Sequence, residues 1–462
     1  IVYDVFSVGN FFNRTDSDSR YVNHNSNTAG TDNFIAGNNA GDAIASGGNY
    51  NTLVGNEAGT AITTGDNNTA VGFEALSTED ANSNNTAVGY RALKTLNAGS
   101  DAYNTAVGAD AGTSITTGLY NNIIGGLAGD AITTGDENIA IGVNALTAET
   151  AGNKSIAIGG GSLAAQNSTS DTDMNNVAIG YHAGLNVTTG IYNTIMGANT
   201  GDALTDADYN VAIGGNALST DTKGNKSTAL GYGALNAQNQ TSSTDTNNVA
   251  VGYTSGNHIT TGTSNTFVGF EAGNVYTTGY NNICIGKGAK GDANDRYLAY
   301  TIGVDCIAAG YDGITTIGTG SGSDRIYNTF KSNATWTRIS DERYKKDIQD
   351  NTDCGLAFIN DLKTRTFKWK AKSELTPDMP DYDAEKTTAD YPNKHYGLIA
   401  QEVKEALTNH NITDFGGHST VEADGKNIES IAQSMFVYPL IKAVQELSAK
   451  NDALEARIKK LE

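Results

Sequence analysis

One short segment, residues 340–348, concentrates groups that are able to do chemistry: a serine hydroxyl, three carboxylates, one arginine and two lysines. The same order of residues suits the beginning of a helix. Ser340 would be the N-cap, Asp341 and Glu342 would lie in the first turn, and the lysines would follow. Because helix capping and acid–base chemistry use the same residue types, the segment by itself leaves both interpretations open.

The other residues that could carry chemistry follow no metal-binding or disulfide pattern. Three cysteines, at positions 284, 306 and 354, are odd in number and widely spaced, and the six histidines lack metal-ligand spacing. We therefore expect no metal and no cofactor. The glycine- and serine-rich run 318–324 lacks the strand and helix that flank a phosphate-binding loop. We interpret it as a flexible exit from the structure before it.

The chain has two regions of different amino-acid composition. Residues 1–339 carry 13 Lys and Arg against 29 Asp and Glu, whereas residues 340–462 carry 17 against 22. The net charge of −21 argues against nucleic acid and anionic membrane surfaces as partners, because both are bound through clustered Lys and Arg. Every apolar run is shorter than the roughly 18 residues of a membrane-spanning helix, so we expect no membrane insertion.

A short unit that ends in an aliphatic run and a glycine recurs before residue 320. Eleven of the sixteen gaps between closing glycines equal the spacing of Gly55 and Gly72, and two longer gaps contain similar four-residue insertions. Such a unit has room for a short strand and turns but not for a helix, so it predicts one coil of a β-solenoid. The closing glycines are Gly37, Gly55, Gly72, Gly89, Gly108, Gly125, Gly142, Gly159, Gly180, Gly197, Gly214, Gly231, Gly252, Gly269, Gly286, Gly303 and Gly318.

Each coil has two or three sizeable apolar side chains, and we expect these, such as Val71 and Leu76, to point inward. One coil is too small to be stable alone, so stability must come from stacking. Seventeen coils at about 4.8 Å each would form a rod about 80 Å long. Because slender coils enclose little volume, we expect three chains to pack around one axis.

The tripeptide Thr-Thr-Gly recurs in six coils, each time shortly before the next strand. Threonine and asparagine in turns commonly bond to neighbouring backbone, so we interpret these threonines and the recurring asparagines as solvent-exposed turn formers and cross-coil hydrogen bonders. The alternative is a glycan-binding surface. The tripeptides begin at Thr63, Thr116, Thr133, Thr188, Thr260 and Thr277.

The repeats resemble the head of trimeric autotransporter adhesins, whose units also end in a short aliphatic run and a glycine. They are also similar to the repetitive shafts of bacteriophage fibres. The resemblance to the adhesin head covers residues 31–320 and implies a trimeric β-roll, although the present unit is a few residues longer. The alternative is an unrelated single-chain, glycine-rich β-helix.

The sequence after residue 336 is aromatic, charged and helical in pattern. Four motifs in this order resemble the endosialidase-type intramolecular chaperones, a self-cleaving serine peptidase domain at the C-terminus of phage tailspikes and fibres. The resemblance covers nearly all of residues 336–462. Its motifs are Ser-Asp-x-Arg-x-Lys at 340–345, Thr-Phe-Lys-Trp-Lys at 366–370, Tyr-Gly-Leu-Ile-Ala-Gln-Glu-Val at 396–403 and Pro-Leu-Ile-Lys-Ala-Val-Gln-Glu-Leu at 439–447.

The resemblance implies a trimeric chaperone that folds the β-structure before it and then cuts itself off. It makes Ser340 the nucleophile and Lys345 the base, and a lysine accepts the serine proton only after burial has lowered its pKa. The resemblance favours cleavage at Ser340-Asp341, whereas attack on the preceding carbonyl would cut before Ser340. Arg343 also matches the motif, but its role and that of Asp341 stay open between ion pairing and catalysis.

The last helix has heptad spacing that supports chain association. The β-branched residues at a with leucine at d favour dimers by rule, so the expectation of three chains here comes from the resemblance. Asn451 at an a position would fix the register. The d positions are Leu440, Leu447, Leu454 and Leu461, and the a positions are Val444, Asn451 and Ile458.

These observations together predict a mainly β protein: a trimeric β-solenoid or β-roll shaft of 17-residue coils, followed by a smaller α+β chaperone domain that ends in a coiled-coil helix. We expect a joining segment at 1–30, the shaft at 31–320, a linker at 321–339 and the auto-processing chaperone at 340–462.

The leading hypothesis for function is a phage tail fibre, made in the host cytoplasm and carried on the virion. Its expected partners are two further copies of the chain, a host surface receptor such as a glycan, and other tail or baseplate proteins at the N-terminus. Self-cleavage would be a single turnover, with no activity on an external substrate. The alternatives are a polysaccharide-degrading tailspike, which needs a pair of catalytic carboxylates, and a bacterial trimeric surface adhesin.

Overall fold

The computed structural model describes residues 22–24, 30–310, 312–322, 324–329, 337–338, 340–379, 382–389, 392–423 and 426–462. The chain divides into two compact units, Ile1–Ser340 and Asp341–Glu462. Most of the predicted joining segment, residues 1–30, lies outside the described residues.

The first unit is a β-solenoid in which each coil contributes one short strand to a single sheet, as the repeats predict. Successive strands are parallel and in register, so that Val71 lies opposite Val88 on the next coil. The strands are Phe34–Ala36, Thr52–Val54, Thr69–Val71, Thr86–Val88, Thr105–Val107, Asn122–Ile124, Ile139–Ile141, Ile156–Ile158, Val177–Ile179, Thr194–Met196, Val211–Ile213, Thr228–Leu230, Val249–Val251, Thr266–Val268, Ile283–Ile285, Tyr300–Ile302 and Ile314–Gly318.

The sheet is extended at both ends, and the two insertions add small sheets beside it. Val22–His24 pairs antiparallel with the first coil strand. Gly152–Asn153 pairs with Thr172–Asp173, and Gly224–Asn225 pairs with Thr244–Asp245. Each four-residue insertion therefore forms a local strand pair without interrupting the stack of coils.

The middle residue of each three-residue strand faces the interior of the coil. Ala70 is completely buried, whereas its neighbours Thr69 and Val71 are half-exposed. The prediction that Val71 points inward is therefore wrong, and the prediction for Leu76, which is completely buried, is confirmed. The reason is the narrow coil: an alanine in the strand leaves room inside for the leucine that follows the closing glycine.

In most coils, the interior matches a large residue with a small one. Where the strand contributes Leu53, the position four residues after the closing glycine is Gly59, and a Cβ there would lie 2.7 Å from Leu53 Cδ2. Where the strand contributes Ala70, the equivalent position is Leu76. In coils where both positions are small, as at Ala106 and Gly112, a leucine of the preceding coil lies against the glycine, as Leu93 does here.

A ladder of buried asparagines runs along the shaft at the residue before most of the coil strands, with serine at this position in two coils, Ser155 and Ser227. In most coils the side-chain Nδ2 donates to a carbonyl on the next coil, and Oδ1 accepts from the backbone N–H at the equivalent position there, as for Asn121 with Gly135 and Asn138. The ladder joins each coil to the next with bonds that are shielded from water. Its members are Asn33, Asn51, Asn68, Asn85, Asn104, Asn121, Asn138, Asn176, Asn193, Asn210, Asn248, Asn265 and Asn282.

The run that we interpreted as a flexible exit is a turn within the sheet. Arg325–Thr329 pairs antiparallel with Ile314–Gly318, and Thr337–Arg338 pairs in turn with Arg325–Thr329. Gly318 and Gly320 have φ of +146° and +60°, which glycine adopts readily and which allow the chain to reverse. Part of the predicted linker 321–339 is therefore ordered sheet.

The second unit combines short helices with two antiparallel strand pairs. Its core contains Cys354, Phe358, Val403 and Leu407. The helices are the α-helices Leu356–Asp361, Ala400–Asn409 and Val437–Ile458 and the 3-10 helices Glu342–Tyr344, Lys372–Glu374 and Gln433–Phe436; the strand pairs are Arg365–Phe367 with His395–Gly397 and His418–Ala423 with Lys426–Ile431.

Candidate functional site

The candidate processing segment begins where the chain passes from one compact unit to the other. Ser340 is the last residue of the first unit and Asp341 is the first residue of the second. The bond between these two residues, which is the predicted cleavage site, is therefore also the boundary between the two units.

Asp341 is held by Arg343 in a well-defined arrangement. The Asp341 carboxylate accepts from the backbone N–H of Arg343 at 2.9 Å and from its guanidinium at 3.0 and 2.7 Å. These bonds lower the pKa of the Asp341 carboxyl and raise the pKa of Arg343. Asp341 is the N-cap of the 3-10 helix Glu342–Tyr344, so the prediction that Ser340 is the cap is wrong by one residue.

Lys345 closes the same 3-10 helix, because its backbone N–H donates to the Glu342 carbonyl at 2.9 Å. Both Ser340 and Lys345 are exposed in the single chain. A lysine base must be buried, and a single chain therefore does not give Lys345 the surroundings that it would need.

Two motifs of the C-terminal sequence come together in one strand pair. Arg365–Phe367 lies antiparallel to His395–Gly397, with Thr366 opposite Tyr396. The Phe367 ring stacks on His395 at 5.9 Å and contacts the edge of Trp369 at 5.6 Å. The two motifs are well separated in the sequence, and direct strand pairing brings them together.

The helix Ala400–Asn409 follows this strand pair and is fixed to it by an ion pair. The Arg365 guanidinium donates to both oxygens of the Glu402 carboxylate, with a shortest distance of 2.6 Å, and lowers the pKa of Glu402. The opposite face of the helix buries Val403 and Leu407. The motif at 396–403 therefore has one charged side and one core side.

A polar cluster around Glu429 was not predicted from the sequence. The Glu429 carboxylate accepts from Lys404 Nζ at 2.5 Å and from the Thr420 hydroxyl at 3.1 Å, and the His418 ring Nε2 lies 2.8 Å from it. The bond from Lys404 lowers the pKa of Glu429. These residues are spread over a helix and two strands, so spacing in the sequence gives no signal for the cluster.

The final helix, Val437–Ile458, is attached to the rest of the second unit through Glu446 and leaves its heptad residues exposed. The Glu446 carboxylate accepts from the backbone N–H of Leu356 at 2.9 Å and so satisfies the N-terminus of the helix Leu356–Asp361. Before and after Glu446 along the chain, the heptad residues are more than half exposed: Leu440, Val444, Leu447, Leu454, Ile458 and Leu461.

The shaft also presents an apolar surface, which we call the outer aliphatic row. It consists of the residue before the closing glycine, one per coil, on the outer face of the sheet. Ile124 and Ile285 in this row are 40% and 41% exposed. The row contains Val54, Val71, Val88, Val107, Ile124, Ile141, Ile158, Ile179, Met196, Ile213, Leu230, Val251, Val268, Ile285, Ile302 and Ile317.

The Thr-Thr-Gly positions fit their structural interpretation. The Thr116 hydroxyl donates to the Thr133 carbonyl at 3.1 Å, and the Thr133 hydroxyl donates to the Thr150 carbonyl at 2.9 Å. Thr63, Thr188 and Thr260 make the same cross-coil bond. These hydroxyls therefore connect coils.

The described residues contain neither a metal-ion cluster nor a helix that could span a membrane. No three His, Cys, Asp or Glu side chains in this part of the chain are grouped closely enough to hold a metal ion. None of the described helices combines the length and hydropathy of a segment that crosses a bilayer.

The comparisons with known proteins agree with this architecture. The model of the family described as chaperone of endosialidase matches residues 340–412. Together with the β-solenoid, this match fits a tail fibre or tailspike-like protein with a C-terminal chaperone domain. The comparisons with curated proteins and with solved structures found no match.

Proposed function

We propose that the protein is a phage tail fibre that attaches the virion to its host, and that residues 340–462 assemble the shaft and then release themselves. The observation that carries this proposal is the position of the chaperone-family match, which begins at the last residue of the β-solenoid unit. A slowly winding, non-local β-structure gains most from a helical module that brings the chains together first.

The proposed assembly is a homotrimer, and two surfaces support association of like chains. The outer aliphatic row repeats once per coil, so a partner must offer apolar side chains with the same spacing, and a second copy of this chain does so. Apolar surface of this length on a soluble protein indicates an interaction site. The exposed heptads of the final helix require partner helices of their own kind. The number three comes from the resemblance to trimeric fibres and adhesins.

In the proposed cleavage, the Ser340 hydroxyl attacks a neighbouring peptide carbonyl while neutral Lys345 accepts its proton. The peptide nitrogen leaves with a proton, and water then hydrolyses the ester. Lys345 is exposed in one chain, so the burial that a lysine base needs would come from assembly. Cleavage would then follow correct folding, and the choice between the bonds on either side of Ser340 stays open.

Intact-mass analysis tests the cleavage. The wild type should yield a shaft fragment whose mass places its new C-terminus beside Ser340, and Ser340→Ala and Lys345→Ala should yield only the full chain. Lys346→Ala is the matched control, because it removes the neighbouring exposed lysine, and it should cleave like the wild type. A wild type that stays full length would contradict the peptidase role. Cleavage of the Ser340→Ala variant would show that Ser340 is not the nucleophile.

The remaining parts of the proposal concern the virion. The fibre would be made in the host cytoplasm, would join other tail or baseplate proteins through its N-terminal segment, and would contact a receptor on the host surface. Binding of the purified fibre to bacterial cells tests attachment, and failure to bind any cells on which the virion adsorbs would contradict it. Loss of polymer mass from a bound polysaccharide would instead favour the tailspike alternative.

A further inference from the structure

The shaft carries a pair of stacked, exposed tyrosines. Unlike the other exposed aromatic pairs, this pair has a lysine–aspartate ion pair on each side along the shaft. The Tyr192 and Tyr209 rings lie 5.3 Å apart with 9° between their planes, and the two residues are 47% and 50% exposed. They occupy equivalent positions on consecutive coils, because Tyr192 N–H donates to the Met174 carbonyl and Tyr209 N–H donates to the Ile191 carbonyl.

Both tyrosines adopt a backbone conformation that is unfavourable for a bulky residue. Their φ angles are +56° and +58°, and Asn175 and Asn247 adopt the same conformation at the equivalent position of other coils. Asparagine tolerates this region better than an aromatic residue does. Tyr50, Tyr103 and Tyr120 adopt the same conformation at the equivalent position, so what distinguishes Tyr192 and Tyr209 is their surroundings and not their backbone.

The two four-residue insertions bound this tyrosine pair on either side along the shaft. The first insertion ends in Asp173, which forms an ion pair with Lys154 at 2.7 Å. The second ends in Asp245, which forms an ion pair with Lys226 at 2.6 Å. Lys226 follows Tyr209 on the next coil, since its N–H donates to the Asp208 carbonyl. The pair of rings therefore lies between two lysine–aspartate pairs.

We propose that this surface, the tyrosine platform of Tyr192 and Tyr209 with the two flanking ion pairs, binds an uncharged oligosaccharide. The proposal rests on the proposed function as an attachment fibre. The negative face of an aromatic ring attracts the C–H groups of a sugar ring, and flanking charged groups exchange hydrogen bonds with hydroxyls to fix orientation. Four coil spacings separate the flanking Lys154 from Lys226, about 19 Å at about 4.8 Å per coil, which suits a short run of sugar units.

Charge decides which class of sugar fits. Each end of the platform combines one positive and one negative group, so the two ion pairs add no net charge to it, and the neighbouring Glu137 and Asp208 are negative. The chain as a whole carries −21 and repels polyanions. An uncharged saccharide is therefore favoured over a sialylated or phosphorylated one.

The test uses the full-length protein on an array of uncharged and anionic oligosaccharides. The variant Tyr192→Asn/Tyr209→Asn removes both rings and places at each position a residue that other coils already tolerate there. The matched control is Tyr103→Asn/Tyr120→Asn, whose rings also stack, at 5.8 Å and 12°. The wild type and the control should bind uncharged oligosaccharides, and the platform variant should lose at least tenfold in affinity with an unchanged melting temperature.

Three outcomes overturn the inference: no binding of any oligosaccharide, equal losses in both variants, or binding confined to anionic oligosaccharides. Binding to whole bacterial cells separates this inference from the proposed function. If the wild type and the platform variant bind cells equally, attachment stands and the platform is not its site. If the wild type binds no cells, the proposed function fails as well.

Discussion

The Oδ1 atom of Asn121 accepts a hydrogen bond from the backbone N–H of Asn138, one coil further along the shaft, at 2.9 Å. At the same time, Asn121 Nδ2 donates to the Gly135 carbonyl at 2.8 Å. One buried side chain thus satisfies a donor and an acceptor that have no access to water. Repetition of this arrangement links the coils into a continuous structure.

Replacing Asn121 by alanine should break the shaft at one coil. The Asn138 N–H and the Gly135 carbonyl would lose their bonds to Asn121 in the interior, at about 1–3 kcal/mol each. Denaturant unfolding should show this loss of free energy. The control is Asn186→Ala, whose exposed side chain donates to the Asp202 carbonyl at 2.8 Å, and which should lose about 1 kcal/mol or less. Equal losses would contradict the ladder as a main source of stability.

Two adjacent glycines provide a second test. Gly125 has a φ of +134°, and a Cβ there would lie 2.6 Å from the Gly142 carbonyl oxygen, whereas a Cβ on Gly126 would meet nothing closer than 4.0 Å. Gly125→Ala should therefore lower the melting temperature by many degrees or prevent folding, because backbone of the next coil must move. Gly126→Ala should stay within a few degrees of the wild type. Similar melting temperatures for both variants would show that the coils do not approach as closely as described.

Glu79 gives the shaft a pH-dependent stability. Burial raises the pKa of its carboxyl, and its Oε2 has no hydrogen-bond partner among the described residues. At the equivalent position, Glu149 Oε2 accepts from Gln166 Nε2 at 2.8 Å, whereas the residue one coil after Glu79 is Leu96.

Because the folded state holds the Glu79 proton more tightly than the unfolded state, the free energy of unfolding should fall as pH rises from the unfolded pKa of about 4.3 to the raised folded value. Glu79→Gln should not show this contribution and should exceed the wild type in stability at neutral pH. Thermal unfolding between about pH 4 and pH 8 measures the difference. Parallel profiles for the two proteins would mean that Glu79 titrates normally.

The architecture of the shaft was predictable because the repeat is strict. The constant spacing of most closing glycines, as from Gly55 to Gly72, gives the coil length and the parallel register directly. The direction of the Val71 side chain was not predictable from the alternation of side chains along the strand alone. Period-two alternation separates Val71 from Ala70, but only the narrow interior decides that the alanine faces inward.

The sequence predicted asparagine ladders with cross-coil hydrogen bonds, because an asparagine precedes nearly every strand at the coil spacing. The hydrogen bonds are confirmed, but the expected exposure is wrong, since these asparagines are buried. The residue spacing identified the processing segment. It predicted Ser340 as the N-cap of the helix, whereas the structure has Asp341 in that position. The Glu429 cluster joins residues from distant parts of the chain, and one sequence has no pattern that reveals it.

The association of like chains through the final helix is the central claim, and sedimentation of the Ser340→Ala protein tests it most directly. Ser340→Ala keeps one uncleaved species in solution, so its mass should be three times the 48.2 kDa of one chain. Adding Leu447→Glu and Leu454→Glu, which place charges on the exposed heptad face, should give chains that aggregate or fail to form the shaft. A folded, soluble protein of one-chain mass from Ser340→Ala alone would contradict the account.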